Sequence, residues 1–304
     1  MRVAVTGASG FVGGAVATAL ANDGHRVVGY GRTPGGWAHP SGTYRVWDLA
    51  RGPLRKPERV DAVVHCAALA DDWVRFEDAL LVNRDGTRAV VRTFPGVRLV
   101  HLSTSSVYDA FGPSVQARED TRLPRRFLST YSQTKALAEA ELSGRDVAIL
   151  RPHAVYGPGD TTLLPRVLEA VRGGRLVLPA GGRVRHSLTH IDNLVDAVRL
   201  AVIPFGPRGI FNVTDASPVV LSDVIGEFLR RRNVRARIVG IPTPAALRLA
   251  HGLERAAKVT GGRPRLTRYA VSQLGFERTY DLSAARERLR YDPRDTSLEG
   301  AEDW

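Results

Sequence analysis

Residues 3–13 already limit the folds open to this chain. An apolar run, Val3 to Val5, leads into Thr6-Gly7-Ala8-Ser9-Gly10-Phe11-Val12-Gly13, and a helical pattern follows at once. Gly7 and Gly10 permit a tight turn and close approach of backbone to a pyrophosphate, Gly13 lets helix and strand pack closely, and the helix N-terminus presents free N–H groups to the anion. Glycine spacing alone says little. Here a strand precedes it, and Val12, Val16 and Leu20 recur at i, i+4 and i+8 after it, so the turn belongs to a βαβ unit built for a dinucleotide.

The rest of the first half repeats that form. Short apolar runs at Val27–Tyr30, Val46–Trp47, Ala62–His65, Leu99–Leu102 and Val147–Leu150 alternate with helical patterns, one of them running from about Ser132 to Gly144. This predicts an α/β fold, a Rossmann-type doubly wound parallel sheet over residues 1–160. After Gly157-Pro158-Gly159 the alternation weakens, and helices at Leu163–Arg172, Ser222–Arg232 and Ala245–Lys258 predict a smaller, mostly helical substrate domain over 161–304. A helix-then-strand segment near 190–213 is expected to return to the main sheet.

Composition narrows the function classes. The chain has 304 residues, 43% of them hydrophobic, enough for a large core. No run approaches the roughly 18 apolar residues of a membrane span, and Val3 enters a strand with no leader before it, so a cytoplasmic protein is expected. Cys66 is the only cysteine and reads as a buried core thiol. The net charge of +12 is almost wholly arginine, since Lys56, Lys135 and Lys258 are the only lysines. The clusters Arg230-Arg231-Arg232 and Arg263, Arg265, Arg268 lack interleaved aromatics that would stack bases, so a solvated basic surface is expected rather than a nucleic-acid site. His153, His186 and His190 have no third ligand at suitable spacing, and no metal site is expected.

Tyr131-Ser132-Gln133-Thr134-Lys135 carries the chemistry. At i and i+4 of a helix the phenol and the ammonium share one face. A free phenol, with a pKa of about 10, exchanges protons poorly near neutrality unless a cation stabilises its phenolate, and Lys135 supplies that cation. Hydride transfer to a carbonyl carbon, with Tyr131 protonating the oxygen, is the reaction this pair suits. The cofactor is expected to be NADP(H), with NAD(H) the lesser alternative. No acidic residue lies between Asp23 and Asp48 to bind a ribose 2′-hydroxyl, and the second strand ends in Gly31-Arg32-Thr33, where a guanidinium can pair with a 2′-phosphate.

The Gly-x-x-Gly-x-x-Gly spacing, Asp61-Ala62-Val63-Val64-His65-Cys66-Ala67-Ala68, Asn83-Arg84-Asp85-Gly86-Thr87, Arg151-Pro152 through Tyr156-Gly157-Pro158, and Asp281-Leu282-Ser283-Ala284-Ala285 together resemble the extended branch of the short-chain dehydrogenase/reductase superfamily over nearly the whole chain. The resemblance implies cofactor contacts from Gly7, Ser9, Gly10, Phe11, Val12, Arg32, Thr33, Ala67, Ala68, Leu69, Asn83, Ser103, Tyr131, Lys135, Pro152 and Val155, with Asp48 and Leu49 beside the adenine. It also implies Thr104, four residues before Tyr108, as the hydroxyl that orients the carbonyl, with Ser105 the alternative. Sugar dehydratases of this branch follow that position with Asp-Glu; Ser105-Ser106 stands here instead. Nucleotide-sugar members carry Arg-Asp where this chain has His186-Ser187, and Asn where it has Ala154, although Arg183 and Arg185 stand close enough to substitute. The stretches Pro158–Pro165 and Thr189–Asn193 look more like 3β-hydroxysteroid dehydrogenase relatives. Substrate contacts are expected from Ser105, His153, Arg185 and His186. Three readings follow: an NADP-dependent ketoreductase or alcohol dehydrogenase acting on a small-molecule carbonyl or alcohol, a nucleotide-sugar 4-epimerase or 4-ketoreductase, and a non-catalytic NADP sensor. The resemblance further implies a homodimer.

Overall fold

The computed structural model describes residues 1–304. In chain order its elements are β1 (Arg2–Thr6), α1 (Phe11–Asn22), β2 (Arg26–Gly31), β3 (Gly42–Val46), β4 (Ala62–His65), α2 (Phe76–Leu80), a π-turn (Leu81–Asp85) leading into α3 (Gly86–Thr93), β5 (Arg98–Leu102), β6 (Ser114–Ala117), α4 (Thr130–Ala140), β7 (Val147–Pro152), β8 (Val155–Tyr156), α5 (Leu163–Ala170), β9 (Arg175–Pro179), β10 (Arg185–His186), β11 (Thr189–His190), α6 (Ile191–Val202), β12 (Gly209–Val213), β13 (Val219–Val220), α7 (Leu221–Arg231), β14 (Arg237–Ile241), α8 (Thr243–Thr260), α9 (Arg268–Gly275) and β15 (Arg278–Tyr280).

Seven of the strands form one sheet in the order β12-β7-β5-β4-β1-β2-β3, every pair parallel. Alternation along β1 shows how the sequence produces two covered faces. Val3 and Val5 join one core with Val16 and Leu20 of α1 and Leu194 and Val198 of α6, whereas Ala4 faces a second core with Val63, Val90 and Leu142. The segment near 190–213 does rejoin the sheet, as α6 and the edge strand β12 beside β7. Strand order reverses between β1 and β4, and in open sheets of this kind the crevice beyond the carboxyl ends at that point holds the ligand.

One predicted strand is displaced. The third lies at Gly42–Val46, and Trp47 follows it. Trp47 is buried by loop packing, edge-on to Tyr30 at 5.4 Å, with its indole N–H donating to Gly52 O. The strand itself is a solvated edge with little hydrophobic signal.

The second lobe is built on a four-stranded sheet, β13-β10-β15-β6, and a parallel β9–β14 pair, over which α5, α7, α8 and α9 pack. Because β6 comes from residues 114–117, this lobe draws chain from both sides of residue 160. That crossing brings its side chains against the carboxyl ends of β5 and β7. No helix is long and apolar enough to cross a membrane.

Candidate active site

The glycine turn has the geometry its spacing predicts. Gly7 has φ +72°, and a Cβ there would stand 2.8 Å from Ala67 N. At Gly13 a Cβ would stand 2.1 Å from Gly7 O, a backbone atom that cannot yield. Gly10 N bonds Gly7 O, and Gly10 is the cap residue of α1, so no side chain caps the helix's first N–H groups. A side-chain-free cradle beneath uncapped amides suits a pyrophosphate. Phe11 and Val12 form the first turn of α1.

Around this turn stand the other residues expected at the cofactor. A Cβ on Gly31 would lie 2.7 Å from Ser9 Oγ, so the end of β2 closes directly on the turn. Arg32 and Thr33 follow, both exposed, and the Arg32 guanidinium makes no hydrogen bond or ion pair. Tyr44 OH donates to Thr33 O and braces that loop. Asp48 caps the short turn of Leu49–Arg51, and buried Leu49 packs at Gly86. Asn83 is buried; its Oδ1 accepts from Leu69 N at 2.7 Å, and its Nδ2 donates to Leu69 O and to Thr134 Oγ1. It therefore fixes the Ala67-Ala68-Leu69 loop against α4. Pro152 and Val155 flank the crossing from β7 to β8.

Helix α4 is capped by Ser129, whose Oγ accepts from Ser132 N, and carries Tyr131, Lys135 and Glu139 at i, i+4 and i+8. Thr104 lies beside the Tyr131 phenol, and burial pushes the phenol's pKa up. Lys135 is 1% exposed; its Nζ donates to Leu102 O at 2.7 Å and stands 3.2 Å from His101 Nε2. Burial depresses its pKa to about 8, against the pull of the Glu139 carboxylate. Glu139 accepts from Ser103 Oγ and takes a bidentate bond from Arg151, at 3.0 Å from Nε and 2.6 Å from Nη2. Arg151 continues to Tyr108 OH, which donates to Asn212 Oδ1.

Thr104 and Ser105, both expected at the site, diverge. Thr104 Oγ1 donates to Ser106 Oγ at 3.0 Å, and Ser106 Oγ shares a 2.6 Å bond with Tyr269 OH of α9. Ser105 Oγ instead bonds His153 Nδ1 at 2.9 Å, and His153 Nε2 stands 3.4 Å from His186 Nδ1. Burial, then the neighbouring charge of Arg278, pushes His186 down to about 3, and His153 falls well below its ordinary value for like reasons, so both rings are neutral near pH 7. Tyr280 packs against His153 with ring centroids 5.2 Å apart. Arg278, also buried, points its Nη atoms at Gly112 O, Ser272 O and Ser272 Oγ, tying a first-lobe loop to α9. Ser105, His153 and His186 thus come together, while Arg185 points to solvent. Tyr269, Ser106, His101 and Glu139 are additions the sequence reading did not make. Glu139 had a signal, since it continues the spacing of Tyr131 and Lys135; Tyr269 had none.

A family model described as the NAD dependent epimerase/dehydratase family matches residues 3–213. The chain is 31% identical over 323 residues to a 4-hydroxy-2-methyl-3-oxo-4-farnesyl-3,4-dihydroquinoline-1-oxide ketoreductase of Stigmatella aurantiaca, covering 99% of this chain and 94% of the relative. It is 29% identical over 324 residues to a 2-alkyl-3-oxoalkanoate reductase of Stenotrophomonas maltophilia, covering 99% and 97%. Among solved structures it is similar to MoeE5 in complex with UDP-glucuronic acid and NAD, with TM-score 0.69 and 26% identity over 99% of this chain and 96% of that one.

Proposed function

Because this chain belongs to the NAD dependent epimerase/dehydratase family and is an NAD(P)-dependent oxidoreductase of the extended short-chain dehydrogenase/reductase type, we propose that it is a ketoreductase that uses NADP(H) to interconvert a ketone and a secondary alcohol. The observation that carries this reading is the placement of Tyr131 and Lys135 one turn apart on α4, with Thr104 beside the phenol and the Lys135 ammonium held at the end of β5. When bound, the nicotinamide supplies or accepts the hydride. The chain's own residues manage the proton. Thr104 orients the carbonyl oxygen, Tyr131 donates a proton to that oxygen, and the Lys135 charge stabilises the phenolate left behind. The fit to a dinucleotide rests on the side-chain-free contact of Gly7 with Ala67 and of Gly13 with Gly7.

The ketone reading is supported by the side chains around Tyr131 and the Thr104–Ser106 turn. Tyr269, Tyr280 and two neutral histidines offer an aromatic, weakly polar surface, and His186 stands where a phosphate-binding arginine is expected in nucleotide-sugar members. One observation favours the epimerase reading: Arg183 lines a surface groove of about 620 Å³ with Gly181, Ser222 and Asp223, room for a nucleotide's charged portion. The two readings separate in a panel. Under the ketone reading, ketones drive NADPH oxidation, and UDP- and dTDP-sugars leave the melting temperature unchanged. A sugar nucleotide that raises the melting temperature in proportion to its concentration sinks it.

The NADP preference rests on Arg32, a guanidinium with no partner beside Ser9 and Thr33. Arg32→Ala is expected to weaken NADPH binding by about 1.5 to 3 kcal/mol, the worth of a hydrogen bond to a charged group, and to leave NADH unchanged. Fluorescence titration with both cofactors measures this. Equal losses for the two would show that Arg32 does not read the phosphate.

A further inference from the structure

His101 lies on β5 with no exposed surface, beneath the lysine of the active site. An ammonium has three N–H groups to place, and burying it without acceptors is costly. Lys135 has two protein partners within reach, Leu102 O at 2.7 Å and His101 Nε2 at 3.2 Å. The other titratable and charged groups facing it are Glu139 on its own helix, Cys66 and His65 from β4 and its end, and Arg151 on β7, which neutralises Glu139. None of the others from the sheet accepts a bond from Nζ. His65 uses Nδ1 on Thr6 Oγ1 and Nε2 on Thr87 Oγ1, and the Cys66 thiol stays protonated because burial raises it to about 12. The imidazole of His101 is thus the sole side-chain acceptor offered to the lysine.

We propose that His101 is a positioning residue for the active site: its Nε2 accepts a hydrogen bond from the Lys135 ammonium, holds that ammonium against the end of β5, and sets the pH at which the lysine loses its charge. The ring can accept throughout the working range, because burial, with the Lys135 charge and His65 adding to it, holds its pKa well below the ordinary value. Accepting at Nε2 places the ring proton on Nδ1, and Nδ1 is buried with no partner. A neutral Lys135 relieves that arrangement, since Nε2–H then donates to the amine and Nδ1 stands bare. The ring therefore supports the charge at the cost of an unpaired Nδ1–H and offsets part of the burial that draws the Lys135 pKa down to about 8.

The inference rests on Tyr131 and Lys135 forming the active centre, and its test needs no substrate. With only three lysines in the chain, Lys56 and Lys258 both exposed, protein labelled with 13C and 15N in lysine gives three side-chain titrations, two of them internal references. The wild-type Lys135 midpoint is expected at about 8. His101→Leu should lower it by about one pH unit, a roughly tenfold change in the protonation constant. His101→Gln, whose amide oxygen can take the place of Nε2, should restore it to within a few tenths of a unit. If the leucine variant does not fold, His101→Met, of similar volume and lacking a strong acceptor, is read in the same way. A midpoint unmoved by removal of the acceptor, or moved as far by Gln as by Leu, overturns the proposal. Absence of NADPH loss with every ketone would count against the ketoreductase reading and would leave this titration intact.

Discussion

Tyr131→Phe is expected to lower turnover about a thousandfold while NADPH affinity stays within about twofold. The two effects separate because the phenol's ring and its hydroxyl have separate tasks. The ring fills the first turn of α4 beside Tyr269 and survives the substitution. The hydroxyl lies beside Thr104 and, held protonated at pH 7 by burial, is the acid available to a carbonyl oxygen. An ammonium carried one helical turn away favours loss of that proton, and Lys135, with its pKa drawn down to about 8, still carries the charge at neutrality. NADPH oxidation with the best ketone gives the rate, and cofactor fluorescence gives the affinity. A variant that keeps more than about a tenth of the wild-type rate would show that some other group protonates the product.

Glu139→Leu is expected to destabilise the fold by about 3 to 5 kcal/mol, read as a fall in the urea midpoint. The Glu139 and Arg151 side chains are 6% and 2% exposed and joined at 2.6 Å, so removing the carboxylate leaves a guanidinium in the interior. Tyr108 OH and Glu119 O remain to it, and neither carries a compensating charge. The double variant Glu139→Leu, Arg151→Met removes both charges and should recover much of the loss, as buried pairs often do when replaced by apolar groups of similar volume. A single-variant loss below about 1 kcal/mol would mean that water or a rearranged partner replaces the carboxylate. Because the Glu139 charge raises the Lys135 pKa, the single variant should also weaken catalysis at neutral pH.

Much of the nucleotide-binding half was legible because its signals are local. A strand, a glycine turn and a helix with apolar residues at i, i+4 and i+8 occupy some twenty consecutive positions, and β4 is found at Ala62–His65 as predicted. The edge strand β3 was misplaced by its neighbour: Trp47 has the composition of a strand residue, but its burial comes from Tyr30 of β2 and from Phe94 at the end of α3. Strands β10, β13 and β15 span only two or three residues, too few for a period of two to register, and they exist because distant segments pair. The same limit governs the site. Tyr131 and Lys135 lie on one turn of helix, whereas the lysine's acceptor is 34 residues away and the hydroxyl partner of Ser106 is 163 residues away. No spacing rule links such pairs. Of the histidines set aside as metal ligands, two share the buried chain Ser105–His153–His186 beside the active centre, and the third caps α6 through Nδ1.

Net hydride transfer is the central claim, and following the hydride itself tests it most directly. Purified protein is incubated with NADPH carrying deuterium at the transferable position of the nicotinamide, together with either a 3-oxoalkanoate-type ketone or a UDP- or dTDP-sugar. With the ketone, one deuterium should appear on the carbinol carbon of the product for each reduced cofactor consumed; with the sugars, reduced cofactor should not fall and no epimer should form. Interconversion of a sugar nucleotide without loss of reduced cofactor, and no deuterium in any alcohol product, would contradict the account.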